Sequence, residues 1–356
     1  MVLAEGPVLV RVPATSANLG PGFDALGLAL GLHDEIEARV AGTASGLSIE
    51  VSGESADDVG GAGERHLIVR AMRVAFDALG VAQPEGLALR CVNRIPHGRG
   101  LGSSAAAIVA GLLAARALAG ASVAPGDVLP LASELEGHPD NVAPCLFGGL
   151  TIAWTVAAKV EAPWLSRLET AVAAGGPDTR AVPAIGPADS HNGGSSPRGI
   201  TAARAVRLEP LPGVRPVVFV APEPVSTKVA RGLLPAAVPH GDAARNAGRA
   251  ALLVAALTSS PGALLDATED WLHQDYRAPA MPHSHELVTR LRAAGVPAVI
   301  SGAGPSVLAF LAGNSARDEA SWLDSIAAET GIEWRISPLA VERHGASVAP
   351  RVTSAR

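Results

Sequence analysis

Pro96-His97-Gly98-Arg99-Gly100-Leu101-Gly102-Ser103-Ser104-Ala105-Ala106 joins an apolar run with strand-like alternation, Leu87-Ala88-Leu89-Arg90-Cys91-Val92, to an alanine- and leucine-rich stretch that reads as a helix over 104–119. A glycine-rich turn at a helix start leaves several backbone N–H groups unpaired and aimed outward, at the positive end of the helix dipole. That arrangement binds anions. Glycine lets the chain pass through positive φ and lets a phosphate approach the backbone closely. The hydroxyls of Ser103 and Ser104 add partners for a phosphate oxygen or a Mg²⁺ ion. The loop reads as a cradle for a nucleotide triphosphate.

Two commoner loops are excluded. A Walker-type loop needs a lysine before its Ser/Thr, and the only lysines, Lys159 and Lys228, lie elsewhere. The spacing of Gly98, Gly100 and Gly102 does not fit a dinucleotide fingerprint. Taken alone, the triplet is also compatible with a plain strand-to-helix turn. Two further small-residue loops weigh against that. Pro13-Ala14-Thr15-Ser16-Ala17-Asn18-Leu19-Gly20-Pro21-Gly22-Phe23-Asp24-Ala25-Leu26-Gly27 follows an N-terminal strand and holds Asn18 and Asp24 in a Gly/Pro-rich setting. Ile300-Ser301-Gly302-Ala303-Gly304-Pro305-Ser306-Val307 turns between two apolar strands.

Together the three loops resemble the three motifs of the GHMP kinases. The first loop, with Glu136-Gly137-His138-Pro139-Asp140-Asn141-Val142-Ala143-Pro144 and Tyr276-Arg277-Ala278-Pro279, resembles the homoserine kinases among them. The resemblance runs from about Val8 into the C-terminal region, apart from one segment. It implies an α+β, two-domain GHMP kinase fold. An N-terminal ATP-binding α/β domain would cover 1–156, and a C-terminal ferredoxin-like α+β domain 202–356. The segment 157–201, rich in Gly, Pro and Ser, reads as a disordered insertion in a hairpin, because such a composition buries too little apolar surface to offset ordering entropy.

The same resemblance implies ATP-dependent phosphorylation of L-homoserine to O-phosphohomoserine, in threonine biosynthesis. Residues Pro96, His97, Gly98, Arg99, Gly100, Leu101, Gly102, Ser103, Ser104 and Ala105 would bind ATP, with the N–H groups of Gly98 to Ser104 holding its phosphates. His66, where the family usually has asparagine, would face the base. Ser103 or Ser104, together with Glu136, would hold Mg²⁺; Glu134 is a rival for the carboxylate. A zwitterionic acceptor needs an anionic partner for its ammonium and a cationic one for its carboxylate. Asp24 would supply the first, and Arg231 and Arg277 the second. Asn18, His138, Asn141, Thr227 and Gly302 would complete the homoserine site. Asn18 and Asn141 would orient the hydroxyl, and because an amide takes no proton at neutral pH the identity of a general base stays open. The catalytic set implied is therefore Asn18, Asn141, Ser104 and Glu136. Two alternatives remain: a GHMP kinase for another small alcohol, and a non-catalytic sensor of the same fold.

Bulk composition agrees with an enzyme of this kind. The 356 residues are 48% hydrophobic, 17% charged and only 3% aromatic, so Ala, Val and Leu must build the core. A net charge of −6 without a basic block argues against nucleic acid as a partner. Two cysteines, Cys91 and Cys145, suit a reducing compartment. With neither a membrane-length apolar run nor a signal-peptide pattern, the expected location is the cytoplasm. Homodimers are common in the family that the chain resembles, and the residues themselves show no interface.

Periodicity predicts strands at 8–12, 26–40, 47–52, 87–93 and 148–155, and helices at 65–79, 104–119 and 126–137. Beyond 206 it predicts a strand at 217–221, helices at 242–258, 261–273, 284–294 and 315–330, and strands at 297–301, 306–312 and 332–336. The tail after Val341 is expected to fray.

Overall fold

A computed structural model describes residues 3–4, 6–41, 46–59, 61–156, 202–312 and 317–350. Its larger sheet has seven strands. β1 (Val8–Ala17), β2 (Leu26–Ala41), β3 (Leu47–Gly53) and β4 (Gly86–Asn93) lie in the order β1-β2-β4-β3. β5 (Leu150–Val156) pairs with β2 and with β6 (Ala202–Leu208). β11 (Ser347–Pro350) closes the outer edge beside β1. The sheet does not follow the sequence division at 156 and 202, since both β6 and β11 come from beyond residue 201. β5 and β6 pair antiparallel up to Val156↔Ala202, which makes them a hairpin. The segment 157–201 itself lies outside the described residues.

Four helices share the core of this sheet: α1 (Leu67–Ala78), α2 (Ser103–Leu118), α3 (Pro125–Glu136) and α4 (Pro139–Phe147). α2 touches β1 and each of the other three. Eleven of its sixteen residues are buried, on every side, as its all-round apolar sequence requires. A helix locked into the core in this way fixes the loop at its N-terminus.

The smaller sheet contains β7 (Val214–Val220), β8 (Ala298–Ile300), β9 (Val307–Ala312) and β10 (Arg335–Pro338), in the order β10-β7-β9-β8 and antiparallel throughout. The short α5 (Thr227–Gly232) and the long α6 (His240–Thr258) follow β7; α7 (Pro282–Ala293) precedes β8 and α8 (Arg317–Ala328) follows β9. Leaving aside α5 and α6, the order β7-α7-β8-β9-α8-β10 with this pairing is the ferredoxin-like arrangement. Alternation along β7 serves two cores. Val218 and Val220 join the core of the large sheet, whereas Val217 and Phe219 join a second core under α7 and α8.

Three expectations need correction. The stretch 261–273 is not one helix: a single 3-10 turn (Pro261–Ala263) and a helical turn (Leu264–Ala267) end at Thr268, whose hydroxyl bonds back to the Leu264 carbonyl at 2.8 Å. The Asp270 carboxylate then accepts the N–H groups of Leu272, His273 and Gln274 at 3.0, 3.0 and 2.7 Å and starts a new turn, Gln274–Arg277. The chain after Val341 does not fray before Pro350, because β11 satisfies the open edge of β1. The first strand runs on to Ala17, past a register shift at Pro13/Ala14, so it carries the start of the first loop into the sheet. α4 was not anticipated. Pro139 at its first position and Gly148 at its end delimit it.

Candidate active site

Gly98, Gly100 and Gly102 all have positive φ, at 66°, 72° and 70°. A Cβ on Gly102 would lie 2.0 Å from the Thr15 hydroxyl, and one on Gly100 would lie 2.2 Å from the Ser301 carbonyl. The loop is therefore wedged between the first and third loops and tolerates only glycine at these points. Hydrogen bonds tie the three together. Thr15 N–H donates to the Leu101 carbonyl at 3.1 Å, Gly302 N–H to the Ala17 carbonyl at 3.0 Å, and Ser301 Oγ to the Gly100 carbonyl at 2.7 Å. Gly102 is the N-cap of α2 and no side chain caps that end, so the first-turn N–H groups stay available to an anion.

A cleft of about 320 Å³ opens beside this loop. It is lined by Asn18, Gly98, Gly100, Gly102, Ser103, Ser104, Glu136, His138, Asn141, Thr227, Arg231, Arg277 and Gly302 among others. Every residue expected around homoserine except Asp24 is on that wall, and Asp24 reaches it through Arg231. Ser103 and Ser104 also border a second cavity of about 310 Å³, with His66, Asp34, Asn93 and His97. The two cavities meet at the serines. Pro96, Arg99, Leu101 and Ala105 line neither cavity. The Arg99 guanidinium turns away and donates to the carbonyls of Ala221, at 2.9 Å, and Pro222.

Ser104 Oγ donates to Glu136 Oε1 at 2.5 Å. Burial pushes the Glu136 carboxyl above the usual carboxylate range, partly offset by that hydrogen bond and by His138. Glu134 is exposed and stands outside the cleft. His138 Nδ1 meets the buried Asp140 carboxylate at 2.5 Å. Burial lowers the imidazole pKa, but Asp140 and Glu136 outweigh it and the net shift is upward. Among the described residues no group of three or more His, Cys, Asp and Glu side chains can hold a metal alone. The oxygen pair Ser104–Glu136 fits a hard divalent cation that takes its remaining ligands from phosphate and water.

The two asparagines are partly engaged. Asn18, held at φ 67°, donates from Nδ2 to the Gly302 carbonyl at 2.8 Å and accepts Asp24 N–H at Oδ1 at 3.0 Å. Asn141 Oδ1 accepts from the Thr15 hydroxyl at 2.8 Å, which leaves its NH₂ for the cleft. Asp24 and Arg231 form a two-pronged ion pair at 2.7 and 3.2 Å. The two groups expected to serve opposite ends of the acceptor thus neutralise one another here, and Asp24 holds the Arg231 pKa above its ordinary value.

Arg277 is 1% exposed. Its Nη1 donates to the Gly302 carbonyl at 3.3 Å and to His273 Nδ1 at 3.2 Å. His273 Nε2 lies 2.8 Å from the Gly20 carbonyl, which can only accept, so the proton sits on Nε2 and Nδ1 is free to receive Arg277. Burial keeps His273 neutral by lowering its pKa. His273 has no place among the residues the sequence singles out. Its function as a backstop for Arg277 depends on a contact with Gly20, 253 residues away, which no local pattern announces.

Residues 66–149 match the family model for the GHMP kinase N-terminal domain. The chain is 51% identical over 350 residues to the homoserine kinase of Streptomyces coelicolor, covering 98% of this chain and 96% of that one. To the homoserine kinase of Leifsonia xyli it is 44% identical over 352 residues, covering 98% and 94%. The chain belongs to the homoserine kinase family. The crystal structure of homoserine kinase from Cytophaga hutchinsonii superposes with a TM-score of 0.72 at 24% identity, over 98% of this chain and 99% of that one. The fold is thus the GHMP kinase fold, as the three loops implied. No described helix is long and apolar enough to cross a membrane.

Proposed function

We propose that the cleft transfers the γ-phosphoryl group of ATP to the side-chain hydroxyl of L-homoserine, with Mg²⁺ as the metal. The observation that carries this reading is the meeting of two cavities at Ser103 and Ser104. The nucleoside lies on the His66 side and its phosphates cross the N-terminus of α2. The acceptor lies on the Arg231/Arg277 side. His66 Nδ1 is buried with no partner among the described residues, which leaves it for a base edge.

On this reading Ser104 and Glu136 would hold Mg²⁺, which when bound would neutralise charge on the phosphates. The N–H groups of the loop hold the β- and γ-phosphate oxygens. Arg277 takes the acceptor carboxylate. Arg231 and Asp24 exchange part of their mutual pairing for the carboxylate and ammonium. The Asn141 NH₂ donates to the hydroxyl oxygen, while Asn18 acts by holding Gly302 and the Asp24 loop. The hydroxyl oxygen attacks the γ-phosphorus as the bond to the β,γ-bridging oxygen breaks. Neither amide can accept the hydroxyl proton, so it passes to a γ-phosphoryl oxygen, which a loose transition state allows.

Two buried, free cysteines, Cys91 and Cys145, support a cytoplasmic setting, and the family resemblance supports a homodimer. The deciding experiment is ADP release with Mg-ATP and homoserine, mevalonate, galactose, serine or no acceptor. Release with homoserine alone is expected. Release with a different acceptor alone removes homoserine from the Arg231/Arg277 wall.

A further inference from the structure

Phe23 does not line the cleft, yet three site groups converge on its ring. The Arg277 guanidinium carbon sits 5.3 Å from the ring centroid and that of Arg231 5.8 Å, both over the ring. The His273 imidazole stacks on it at 5.1 Å and 29°. The aromatic content of the chain is only 3%, so an aromatic ring with two arginines over it is not explained by a generally aromatic core.

The two cations pose a physical problem that the ring addresses. Arg277 is buried, its Nε is buried without a partner among the described residues, and the charge of Arg231 stands against it. Arg231 has Asp24 as counter-ion. No carboxylate makes an ion pair with Arg277 among the described residues; its bonds go to a carbonyl and a neutral histidine. A π-face attracts both guanidinium groups without consuming a donor N–H. It also leaves no negative charge to compete with an incoming carboxylate, as an aspartate in its place would.

We propose that Phe23 is the positioning residue of the acceptor site: its ring holds the Arg231 and Arg277 guanidinium groups side by side, so that together they receive a single carboxylate. The proposal rests on the acceptor assignment above. Its prediction is electronic as well as steric. Weakening the π-face without changing ring shape weakens the hold on the arginines, and hence carboxylate binding. MgATP binding, on the other side of the loop, is indifferent to it.

The test places mono-, di- and trifluorinated phenylalanines at position 23 in the full-length enzyme by codon suppression, alongside Phe23→Leu, Phe23→Trp and Arg277→Leu. Across the fluorinated series the KM for homoserine should climb stepwise, reaching roughly three- to tenfold. The KM for MgATP and the melting temperature should hold constant. Phe23→Trp should fall near wild type and Phe23→Leu at the weak end. The inhibition constant of 3-aminopropan-1-ol, which lacks the carboxylate, should not vary with fluorination. A flat homoserine series overturns the proposal while leaving the acceptor site intact, provided Arg277→Leu still raises that KM. A series equally graded for 3-aminopropan-1-ol also overturns it, because the ring would then not act through the carboxylate. If Arg277→Leu leaves the homoserine KM unchanged, the acceptor assignment and the proposal fall together.

Discussion

The two halves of the cleft are built on opposite plans. The side proposed for the phosphates is built on one continuous stretch, from Gly98 to Ser104, which offers backbone N–H groups at the end of a helix buried on all sides and is joined by Glu136 through Ser104. The side proposed for the acceptor is assembled from side chains of four separate stretches, at Asn18–Asp24, His138–Asn141, Thr227–Arg231 and His273–Arg277, together with the Gly302 carbonyl. The first kind of site is specified once the local chain conformation is specified. The second exists only when the tertiary contacts are complete, and its charges are held in check by one another until a ligand arrives.

The strongest test of this contrast is the point where the halves touch. Gly102→Ala places a Cβ 2.0 Å from Thr15 Oγ1 at a φ of 70°, and Thr15 is also the partner of Asn141. The expected cost is about 3 kcal/mol or more of stability, combining a left-handed alanine with a displaced loop. Chemical denaturation should show it, and both substrate KM values should rise. Within the fold, the halves should separate. Glu136→Ala should lower kcat by roughly 100-fold or more, since it removes charge stabilisation at the phosphoryl group. Arg277→Leu should instead raise the homoserine KM on the order of 100-fold, with MgATP KM within about twofold, because it deletes one partner of a desolvated charge pair. Steady-state kinetics on both variants decides the division. Equal effects on both constants in both proteins would erase it.

A smaller effect sharpens the phosphate side. Burial raises the Glu136 pKa in the free enzyme, and in the proposed role only the ionised form would hold a cation. Protonation therefore begins at a higher pH than for an ordinary carboxylate. kcat/KM for MgATP should fall on the acid side through a limb placed above the normal carboxylate range. Ser104→Ala removes a hydrogen bond that lowers this pKa, so the limb should move to still higher pH. A limb that stays put in Ser104→Ala would mean that Glu136 does not govern it.

The same contrast explains what the sequence could convey. Gly98, Gly100 and Gly102 before an apolar helix are a local pattern with a local physical cause, and the positive φ values follow it. The strands and helices of the ferredoxin-like sheet were placed by periodicity, but its ferredoxin-like arrangement was expected only from the family resemblance. The residues proposed for the acceptor were named only through family resemblance, which brings them to one cleft but not to their pairing: nothing near Asp24 or Arg231, 207 residues apart, foretells that they bind each other. Asp270 as a helix starter and β11 as an edge cover were missed for a related reason. Both satisfy backbone groups whose need for a partner appears only after the chain has folded.

The smallest expected effect is at the β5–β6 hairpin. Val156 and Ala202 are register partners at the open end of the β5–β6 hairpin, so a turn of two residues spans the gap that 157–201 now bridges. β5 pairs with β2 and packs on α4, whose first turn carries Asp140 and Asn141. The hairpin must therefore persist for the site to hold, but its closure needs only the last paired residues. Replacing 157–201 by Asn-Gly should leave kcat and both KM values within about twofold, because shortening a loop changes closure entropy only slowly with length. Loss of activity with a retained cooperative melt would show that the segment contributes to the cleft. A protein that no longer melts cooperatively would show that it contributes to the sheet.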